Sequence, residues 1–416
     1  MKALVFDFEV PTEAWTPPPG ATGLLLNLAS TPMALVDIED ARPLRPDWYV
    51  VKPRLVGICG SDSKQALMDF GADDADSAMA AFCSFPQVMG HEVVGEVVEA
   101  GPEAAGFDIG QRVVINPWLA CRARGVSPEC PACAAGDYSL CHSFLSGSIS
   151  RGIHTGVSSD ATGGYAELMP AHSTMMFPVP DSLSDEQAVL ADPFAVSLHA
   201  VTRNPPPPDA KVVVYGAGSL GTTALAVLKA LYPGTEVAVV ARFRAQAELA
   251  RSLGADLVLN HEPRMGLIQA LADWSGGQVI TGGMLMGDAL PMCHPGGIDI
   301  VYDTVGKPET FEVGVRVLKA RGTLVKEGFH GPGRWEWSPL YFKEIRWVGS
   351  NAFGIEEVEG RRAHGIQHYL DLAGSGRVDI VRMLTHTYPL VQWRDAFAAI
   401  ADQANSGAVK VAIDHR

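Results

Sequence analysis

The sequence predicts an α/β protein with a mainly-β domain and a doubly wound parallel-sheet domain. Three observations support this fold class. The chain has 416 residues, which is too long for one average domain and suits two. Short β-like runs between Gly- and Pro-rich turns fill its first part. Buried strand patterns then alternate with helical runs, which is typical of a parallel sheet covered by helices.

The elements of the first domain are short strands bounded by turn residues. Runs rich in Val predict strands at 48–53 and 93–99. Four consecutive prolines at 205–208 predict a stiff spacer before the second domain. Three stretches between core elements have the character of insertions, at 68–85, 122–128 and 276–295. The first of them is interpreted as a solvated surface loop because it carries four acidic residues, Asp69, Asp73, Asp74 and Asp76.

Alternating strand and helix patterns define the second domain. The Val-rich residues 211–215 predict a buried strand, and a helical run at 222–232 follows a glycine turn. The alternation continues with strands at 236–241, 299–303 and 323–325 and a helix at 244–253. The tail of the chain predicts a helix at 360–372 and a late strand at 409–413.

Composition excludes several classes of partner. Hydrophobic residues make up 47% and charged residues 19% of the chain, which is normal for a globular protein. The formal net charge of −15 argues against binding of nucleic-acid backbones and of anionic membranes, both of which need a basic surface. Acidic residues stand where a signal peptide would need an apolar run, so we expect a cytoplasmic protein without a membrane span.

A G-x-G-x-x-G motif joins the first strand and the first helix of the second domain. In such a turn the first glycine makes the bend, and the second lets the backbone approach a pyrophosphate. The third allows close contact between helix and strand, and the helix N-terminus presents N–H groups to the phosphates. The motif predicts a dinucleotide site formed by Gly216, Gly218, Ser219, Leu220 and Gly221.

The end of the second strand of this domain indicates which dinucleotide is preferred. A site for NAD usually has Asp or Glu there, bonded to the ribose 2′-hydroxyl. Here Ala241 occupies the position, and Arg242 and Arg244 follow. A missing carboxylate beside two guanidinium groups favours a 2′-phosphate, so we predict NADP. The alternative is NAD, with both arginines serving only as solvated residues at a helix start.

Two short segments bring together a thiolate, an imidazole and carboxylates. They are Gly-Ile-Cys-Gly-Ser-Asp at 57–62 and Gly-His-Glu at 90–92. Zinc held by three protein ligands, with a fourth position open, takes Cys, His and carboxylate ligands. We predict a catalytic zinc bound by Cys59 and His91 and completed by Asp192 or Glu92.

Two further residues of these segments have predicted roles in the reaction. Asp62 is well placed to accept the far N–H of His91, which would fix the orientation of the ring. Zinc lowers the pKa of bound water to about 7, and an alcohol should respond in the same way. Ser61 could take that proton, while a nicotinamide accepts the hydride. The segments therefore indicate metal-assisted redox chemistry on an oxygen substrate.

Four of the seven cysteines lie in one stretch of the chain. Cys130 and Cys133 form a C-x-x-C pair, Cys141 follows, and Cys121 lies upstream. An odd number of cysteines in a chain expected in the cytoplasm is poor evidence for disulfides. The spacing instead predicts a closed structural zinc site, although Cys121 stands far from Cys130 in the sequence.

Taken in order, these motifs resemble the zinc-dependent medium-chain dehydrogenase/reductase family, the group of alcohol, sorbitol and threonine dehydrogenases. The resemblance runs almost end to end and is carried by the segments 1–6, 57–62, 90–98, 110–113, 163–167 and 216–221. It implies a GroES-like catalytic domain, a Rossmann domain and a return of the chain to the catalytic domain. We accordingly predict domains at 1–185, 186–348 and 349–416.

The resemblance also implies roles for individual residues. Cys59 and His91 correspond to zinc ligands of the family, and Ser61 corresponds to its proton relay. Asp192 stands at the position of the third ligand, and Glu92 matches a residue that binds the metal or stands near it.

Two positions depart from the family pattern. Ser127 replaces the first cysteine of the usual structural-zinc loop, so Cys121 must substitute for it or the site is incomplete. A family histidine shortly after the relay hydroxyl is also absent, because Ser63 and Lys64 follow Asp62. The proton would then leave through water or the cofactor ribose.

These observations predict an NAD(P)-dependent zinc alcohol or polyol dehydrogenase that acts on a small alcohol or carbonyl compound. The resemblance to the family implies a homodimer or homotetramer. Two alternatives stay open. An aldehyde dismutase-like enzyme with retained cofactor would turn over aldehyde without added cofactor. A non-catalytic, zinc-stabilised nucleotide-binding redox sensor would bind cofactor while its metal site stayed empty.

Overall fold

The structure is a computed structural model that describes residues 1–10, 15–69, 78–282, 289–330 and 333–416. Three aspartates of the first predicted insertion, Asp73, Asp74 and Asp76, lie outside these ranges. The chain divides into two compact units. One holds the described residues up to Ala195 together with Phe353–Arg416, and the other holds those of Val196–Ala352. Within the described ranges, no helix is long and apolar enough to cross a membrane.

Strands and helices follow one another along both units. The strands are β1 Lys2–Phe6, β2 Met33–Asp37, β3 Trp48–Gly57, β4 Gln87–Val88, β5 Glu92–Ala100, β6 Arg112–Ile115, β7 Met169–His172, β8 Met176–Pro178, β9 Lys211–Tyr215, β10 Glu236–Ala241, β11 Leu257–Asn260, β12 Val279–Ile280, β13 Met292–Cys293, β14 Ile298–Asp303, β15 Leu318–Lys326, β16 Arg346–Gly349, β17 Ile355–Val358, β18 Arg361–His364, β19 Leu384–Pro389 and β20 Lys410–Asp414. The α-helices are α1 Leu24–Asn27, α2 Gly60–Ala66, α3 Pro131–Ala135, α4 Asp185–Ala188, α5 Ala191–Arg203, α6 Ser219–Leu231, α7 Arg244–Ser252, α8 Arg264–Ser275, α9 Pro308–Val317, α10 Ser338–Phe342, α11 Gly365–Gly374, α12 Trp393–Ala401 and α13 Gln403–Ser406.

The first unit is mainly β, as predicted. Its larger sheet has the order β19-β20-β3-β5-β6-β8, with β7 paired to β3, and a smaller sheet has the order β2-β1-β4. The long strands β3 and β5 pair antiparallel, and Gly57 at the end of β3 lies opposite Glu92 at the start of β5. This register brings the residues just after β3 and just before β5 to the same end of the sheet.

The core of the first unit lies between its sheets and α12. Trp48 and Val51 of β3 are fully buried, as is Phe397 of α12, and Trp393 of α12 is almost so. Complete burial of one such side chain stabilises a fold by roughly 1.5–3 kcal/mol. The chain therefore needs its last segment, which supplies α12 and β20, to complete the core built by its first.

The second unit contains a six-stranded sheet in the order β11-β10-β9-β14-β15-β16, and all of its strands are parallel. Helices α6 to α9 connect its strands. This is the doubly wound, Rossmann-type sheet that the alternating pattern predicted, and the predicted fold class is confirmed. The carboxyl ends of β9, β14 and β15 meet at one edge, where ligands of such sheets bind.

One predicted helix began too early. The stretch at 360–372 is not a single helix, because Arg361–His364 forms strand β18 paired with β17, and α11 begins at Gly365. Glu359 and Gly360 both have positive φ, of 51° and 77°, which is the backbone of a tight hairpin turn. His364 then caps α11 by accepting a hydrogen bond from the backbone of Ile366. A local hairpin thus overrides the helical pattern.

Candidate functional site

The strand register assembles a mixed group of potential metal ligands in the first unit. Cys59 follows β3 and caps the N-terminus of α2, and His91 directly precedes β5. One ligand atom each from Cys59, His91 and Glu92 lies within 4.8 Å of the others. His91 and Glu92 are buried, and Cys59 is half-buried. Thiolate, imidazole and carboxylate form the kind of donor set that zinc takes in catalytic sites.

Asp62 contacts both His91 and the backbone of Cys59. Its Oδ1 lies 3.4 Å from Nδ1 of His91, and its Oδ2 accepts a 3.1 Å hydrogen bond from the backbone N–H of Cys59. Burial alone would lower the pKa of His91, but the charges of Asp62 and Cys59 raise that pKa well above its usual value. Because Nδ1 faces Asp62, Nε2 is the nitrogen left for a metal.

Tyr165 is a candidate site residue that sequence reasoning missed. Its hydroxyl donates a 3.1 Å hydrogen bond to Oδ2 of Asp62, and its side chain is fully buried. The Gly-Gly-Tyr segment at 163–165 was a visible signal, but 103 residues separate the two partners. Tyr165 therefore fixes the carboxylate that faces Nδ1 of His91.

Glu92 lies in a buried ion pair. Lys410 of β20 pairs with its carboxylate and donates a 3.0 Å hydrogen bond to the carbonyl of Ile58. The side chains of Lys410 and Glu92 are only 1% and 2% exposed. Gly57 is required beside them because a Cβ there would collide with Glu92. Lys410 therefore offsets the charge of Glu92 in a place that water does not reach.

Asp192 does not join the set of three. It lies in the first turn of α5, and within the described residues its buried Oδ2 has no hydrogen-bond partner. Burial raises its pKa to about 7, the charge of His91 opposes that rise, and the charge of Glu92 adds to it. The carboxyl group is thus electrostatically coupled to the site. A buried oxygen without a partner suits a ligand or a bound water better than a purely structural role.

Two more side chains flank the ligand group. Ser61 is exposed and lies two residues after Cys59 in the first turn of α2. His154, to which sequence reasoning assigned no role, packs against His91 with ring centroids 4.7 Å apart and ring planes tilted by 47°. The Nδ1–H of His154 donates to the carbonyl of Thr155 at 2.6 Å. Burial and the neighbouring His91 lower its pKa to about 3, so its ring stays neutral.

A second group in the same unit consists of cysteines alone. The sulfurs of Cys121, Cys130, Cys133 and Cys141 all lie within 4.8 Å of one another. Cys130 caps α3, and its sulfur accepts backbone N–H groups of Cys133 and His142. These donors lower the pKa of Cys130 against the effect of burial. The distant Cys121 thus lies beside the other three, as the predicted tetrahedron requires.

Arg124 holds the loops around the four cysteines. Its guanidinium is completely buried and donates to carbonyl groups of Leu119, Ser146, Ile149, Ser150 and Gly152. No carboxylate within the described ranges lies within ion-pair distance of it. The charges of Cys141, Asp160 and Cys121 oppose the effect of burial, which lowers its pKa. Arg124 therefore places a positive charge beside the thiols.

The glycine turn in the second unit has the geometry that its motif predicts. Gly216 follows β9 with φ of +104°, and Gly218 caps α6. Gly221 packs against the carbonyl of Gly216 so closely that a Cβ would collide with it. Ser219 and Leu220 form the first turn of α6. The turn thus presents a helix N-terminus at the carboxyl edge of the sheet, where a pyrophosphate would bind.

The two arginines predicted to select the cofactor differ in surroundings. Strand β10 ends at Ala241, and exposed Arg242 directly follows with its guanidinium 5.1 Å from the Phe243 ring centre. Arg244 is 91% exposed and pairs with Glu248 at 2.7 Å on its own helix. Of the two arginines, Arg244 thus has a carboxylate partner among the described residues, and Arg242 is exposed.

Two protein-family models match the chain. Residues 45–181 match the alcohol dehydrogenase GroES-like domain, and residues 219–364 match the zinc-binding dehydrogenase model. Together these stretches cover more than half of the chain. Sorbitol dehydrogenase of Bacillus subtilis (strain 168) is 26% identical over 356 residues, which are 84% of this chain and 85% of that protein. L-galactonate-5-dehydrogenase of Escherichia coli (strain K12) is 28% identical over 351 residues, or 84% and 86%.

Solved structures share the fold. The 2R,3R-butanediol dehydrogenase of Bacillus subtilis superposes with a TM-score of 0.68 at 22% identity, covering 92% of this chain and 96% of that one. Acetophenone reductase of Geotrichum candidum NBRC 4597, in complex with NAD, gives a TM-score of 0.69 at 21% identity, covering 92% and 93%. At these identities the likeness demonstrates a common architecture.

Proposed function

Since the chain belongs to the zinc-dependent medium-chain dehydrogenase family, we propose which of its residues perform the family's reaction. The protein is an oxidoreductase that transfers a hydride between an alcohol or polyol, or the matching carbonyl compound, and a nicotinamide cofactor. The observation that carries the residue assignment is the convergence of Cys59, His91 and Glu92. Exposed Ser61 lies two residues from that thiolate.

Each group of ligands fits one zinc ion. Cys59, His91 and Glu92 would hold the catalytic zinc, with Asp192 as the alternative to Glu92. The four cysteines Cys121, Cys130, Cys133 and Cys141 would hold a structural zinc, because four thiolates close a tetrahedron. When bound, zinc would supply Lewis acidity toward an alcohol oxygen, and the nicotinamide would accept the hydride.

The residues of the chain prepare this chemistry. The carboxylate of Asp62, 3.4 Å from Nδ1 of His91, would orient the ring and leave Nε2 to hold the zinc. The Ser61 hydroxyl takes the proton from the alcohol and passes it to solvent, since it is exposed. Lys410 keeps the buried charge of Glu92 compensated.

For the cofactor we propose NADP, with NAD as the alternative. Support comes from the lack of a carboxylate at Ala241 and from the exposed guanidinium of Arg242 beside it. The Arg242→Ala substitution should weaken NADP binding by roughly 10-fold or more and leave NAD binding within about twofold, because charge-assisted contacts contribute about 1.5–3 kcal/mol. Fluorescence titrations with NADPH and NADH measure both affinities. Equal losses for the two cofactors would contradict the preference.

We also propose that the protein forms a homodimer or homotetramer. Support comes from the edge strand β16 of the parallel sheet and from large exposed side chains near it in the sequence. Tyr341 and Phe342 are 77% and 74% exposed, and Trp337 is half exposed. Exposed apolar groups beside an open strand edge are typical of subunit contacts. Light scattering of the purified protein measures the mass directly.

One experiment tests the proposed function. The metal content of protein purified without chelator should be two zinc ions per chain, and the protein should oxidise alcohols only when cofactor is added. Glu92→Gln and Asp192→Asn then identify the third ligand, since only loss of a ligand should remove the catalytic zinc. Protein that bound cofactor but held no zinc at Cys59 would contradict the proposal. Turnover of aldehyde without added cofactor would favour the dismutase alternative.

A further inference from the structure

A buried acidic residue lies next to the glycine turn in the second unit. Glu327 directly follows β15 at the carboxyl edge of the sheet, and its side chain is more than nine-tenths buried. Its backbone N–H donates to the carbonyl of Asp303 at the end of β14. No part of the reaction described above uses its carboxyl group.

The carboxyl group of Glu327 connects to the turn through hydroxyl groups. Its Oε1 lies 2.5 Å from Oγ of Ser197, which in turn lies 3.0 Å from the carbonyl of Leu220 within the G-x-G-x-x-G motif. Ser197 Oγ also lies 2.7 Å from Oγ1 of Thr223, which reaches the same carbonyl at 3.0 Å. Glu327 therefore belongs to a network that holds the first turn of α6.

A count of donors indicates that this carboxyl group carries a proton. In the described part of the chain, Oε2 has no hydrogen-bond partner, and no Lys or Arg nitrogen lies within ion-pair distance of either oxygen. Burial destabilises a carboxylate that has only one hydroxyl donor, and such groups usually take up a proton instead. As an acid, Glu327 would donate to Ser197, and Ser197 would donate onward to Leu220.

The charges around Glu327 favour the same state. Burial raises its pKa to about 8, the hydrogen bond from Ser197 opposes the rise, and the charge of Asp303 adds to it. Asp303 is the charged group that faces it from β14, and the groups that reach it from α5 and α6 are hydroxyls. The ammonium group of Lys326, the last residue of β15, donates a hydrogen bond to the carbonyl of Gly306.

Asp303 provides an internal comparison. It is also buried and lies at the same sheet edge, but its carboxylate accepts hydrogen bonds from the backbone of Val305 and Gly306 and from the hydroxyl of Thr310. Those donors are the normal partners of a buried acceptor. Of these two acids, Glu327 is the one with an oxygen left over.

We propose that Glu327 is a positioning residue for the cofactor, held as an uncharged acid, and that binding of the dinucleotide's pyrophosphate requires this uncharged form. A buried carboxylate connected to the turn through Ser197 would oppose the negative charge of the pyrophosphate. It would also draw the Ser197 proton away from Leu220 and loosen the first turn of α6. The inference rests on the proposed dinucleotide site.

The pH dependence of cofactor affinity tests the inference. A group that must be protonated for binding leaves affinity intact below its pKa and weakens it above. With a pKa of about 8, binding of NADPH or NADH should be about 10-fold weaker at pH 9 than at pH 7. Calorimetry near pH 8 in two buffers of different ionisation enthalpy should also detect proton uptake on binding.

The matched variant is Glu327→Gln, whose amide keeps a donor for Ser197 but cannot ionise. Its affinity should change less than about twofold over the same pH range, with no proton uptake from this residue. The difference between the wild type and the variant is the decisive quantity, because it separates the charge of Glu327 from every other titrating group. If the Gln variant does not fold, Glu327→Leu gives the same comparison with an apolar side chain.

The possible outcomes are distinct. Identical pH profiles for the wild type and the variant would overturn the role of Glu327 and leave the proposed function intact. If the variant bound cofactor more weakly than the wild type by the same factor at every pH, Glu327 would have a structural role that does not depend on its charge. That result would also overturn the inference. Folded wild-type protein that binds neither cofactor would contradict the proposed function and this inference together.

Discussion

Two groups of cysteine-containing ligands lie in the same unit, yet their surroundings differ. The four cysteines come from one segment of the chain, 121–141, and backbone N–H groups donate to their sulfurs. The mixed group takes Cys59 and the His91–Glu92 pair from separate segments that only the β3–β5 register brings together. Beside it lie the buried Asp192, with an oxygen that has no partner within the described ranges, and the exposed Ser61.

The comparison shows that one unit contains both a group of ligands suited to a structural role and a group suited to a reaction. In the cysteine group the donor set is complete, and buried Arg124 holds the flanking loops through carbonyl contacts. In and beside the mixed group, some buried polar atoms have no hydrogen-bond partner among the described residues. Side chains such as Tyr165 orient other side chains there. A closed set suits a structural metal, and an open set leaves room for a substrate.

The strongest test of this contrast removes a ligand from the mixed group. Cys59→Ser should lower kcat/KM by more than the roughly 100-fold that loss of a ligand's outer partner can cost. One zinc per chain should be lost, while cofactor affinity and the melting temperature stay nearly unchanged. Steady-state kinetics and metal analysis measure both effects. Unchanged turnover would end the assignment of a catalytic zinc.

The converse substitution lies in the cysteine group. Cys133→Ser should also remove one zinc per chain, but its main effect should be on folding, because structural zinc contributes directly to stability. A loss of roughly 3–5 kcal/mol corresponds to a decrease in Tm of about 10 °C for a unit of this size. Turnover of the folded fraction should fall only severalfold. A variant with wild-type Tm and two zinc ions would refute a structural role for these cysteines.

The smallest effect on activity is expected for Tyr165, whose hydroxyl donates to Asp62 rather than to the ligand group itself. Tyr165→Phe removes the hydrogen bond to Asp62 and should lower kcat/KM about 10-fold, since partners that orient a metal ligand typically contribute 10- to 100-fold. Tyr49→Phe is the matched control, because its hydroxyl is equally buried and has no hydrogen-bond partner in the described part of the chain. Equal activity in both variants would show that Asp62 does not need Tyr165.

Several features were predictable because they depend on residues close together in the sequence. The glycine turn and the strands at 211–215 and 236–241 follow from local pattern and appear with those bounds. The proximity of Cys130 and Cys133 also follows from their C-x-x-C spacing, because Cys130 caps α3 and Cys133 lies in its first turn. The helix expected at 360–372 failed for an equally local reason, since the turn at Glu359 and Gly360 begins a hairpin strand.

What the sequence determined by itself is the set of reactive groups and the order of elements that carries them. Only the tertiary structure decided which residues outside these motifs support them. The contact of Tyr165 with Asp62 and the burial of Glu327 against Ser197 join residues 103 and 130 positions apart. Such pairs depend on strand register and packing, which many distant residues set together. The spacing of a motif carries no information about them.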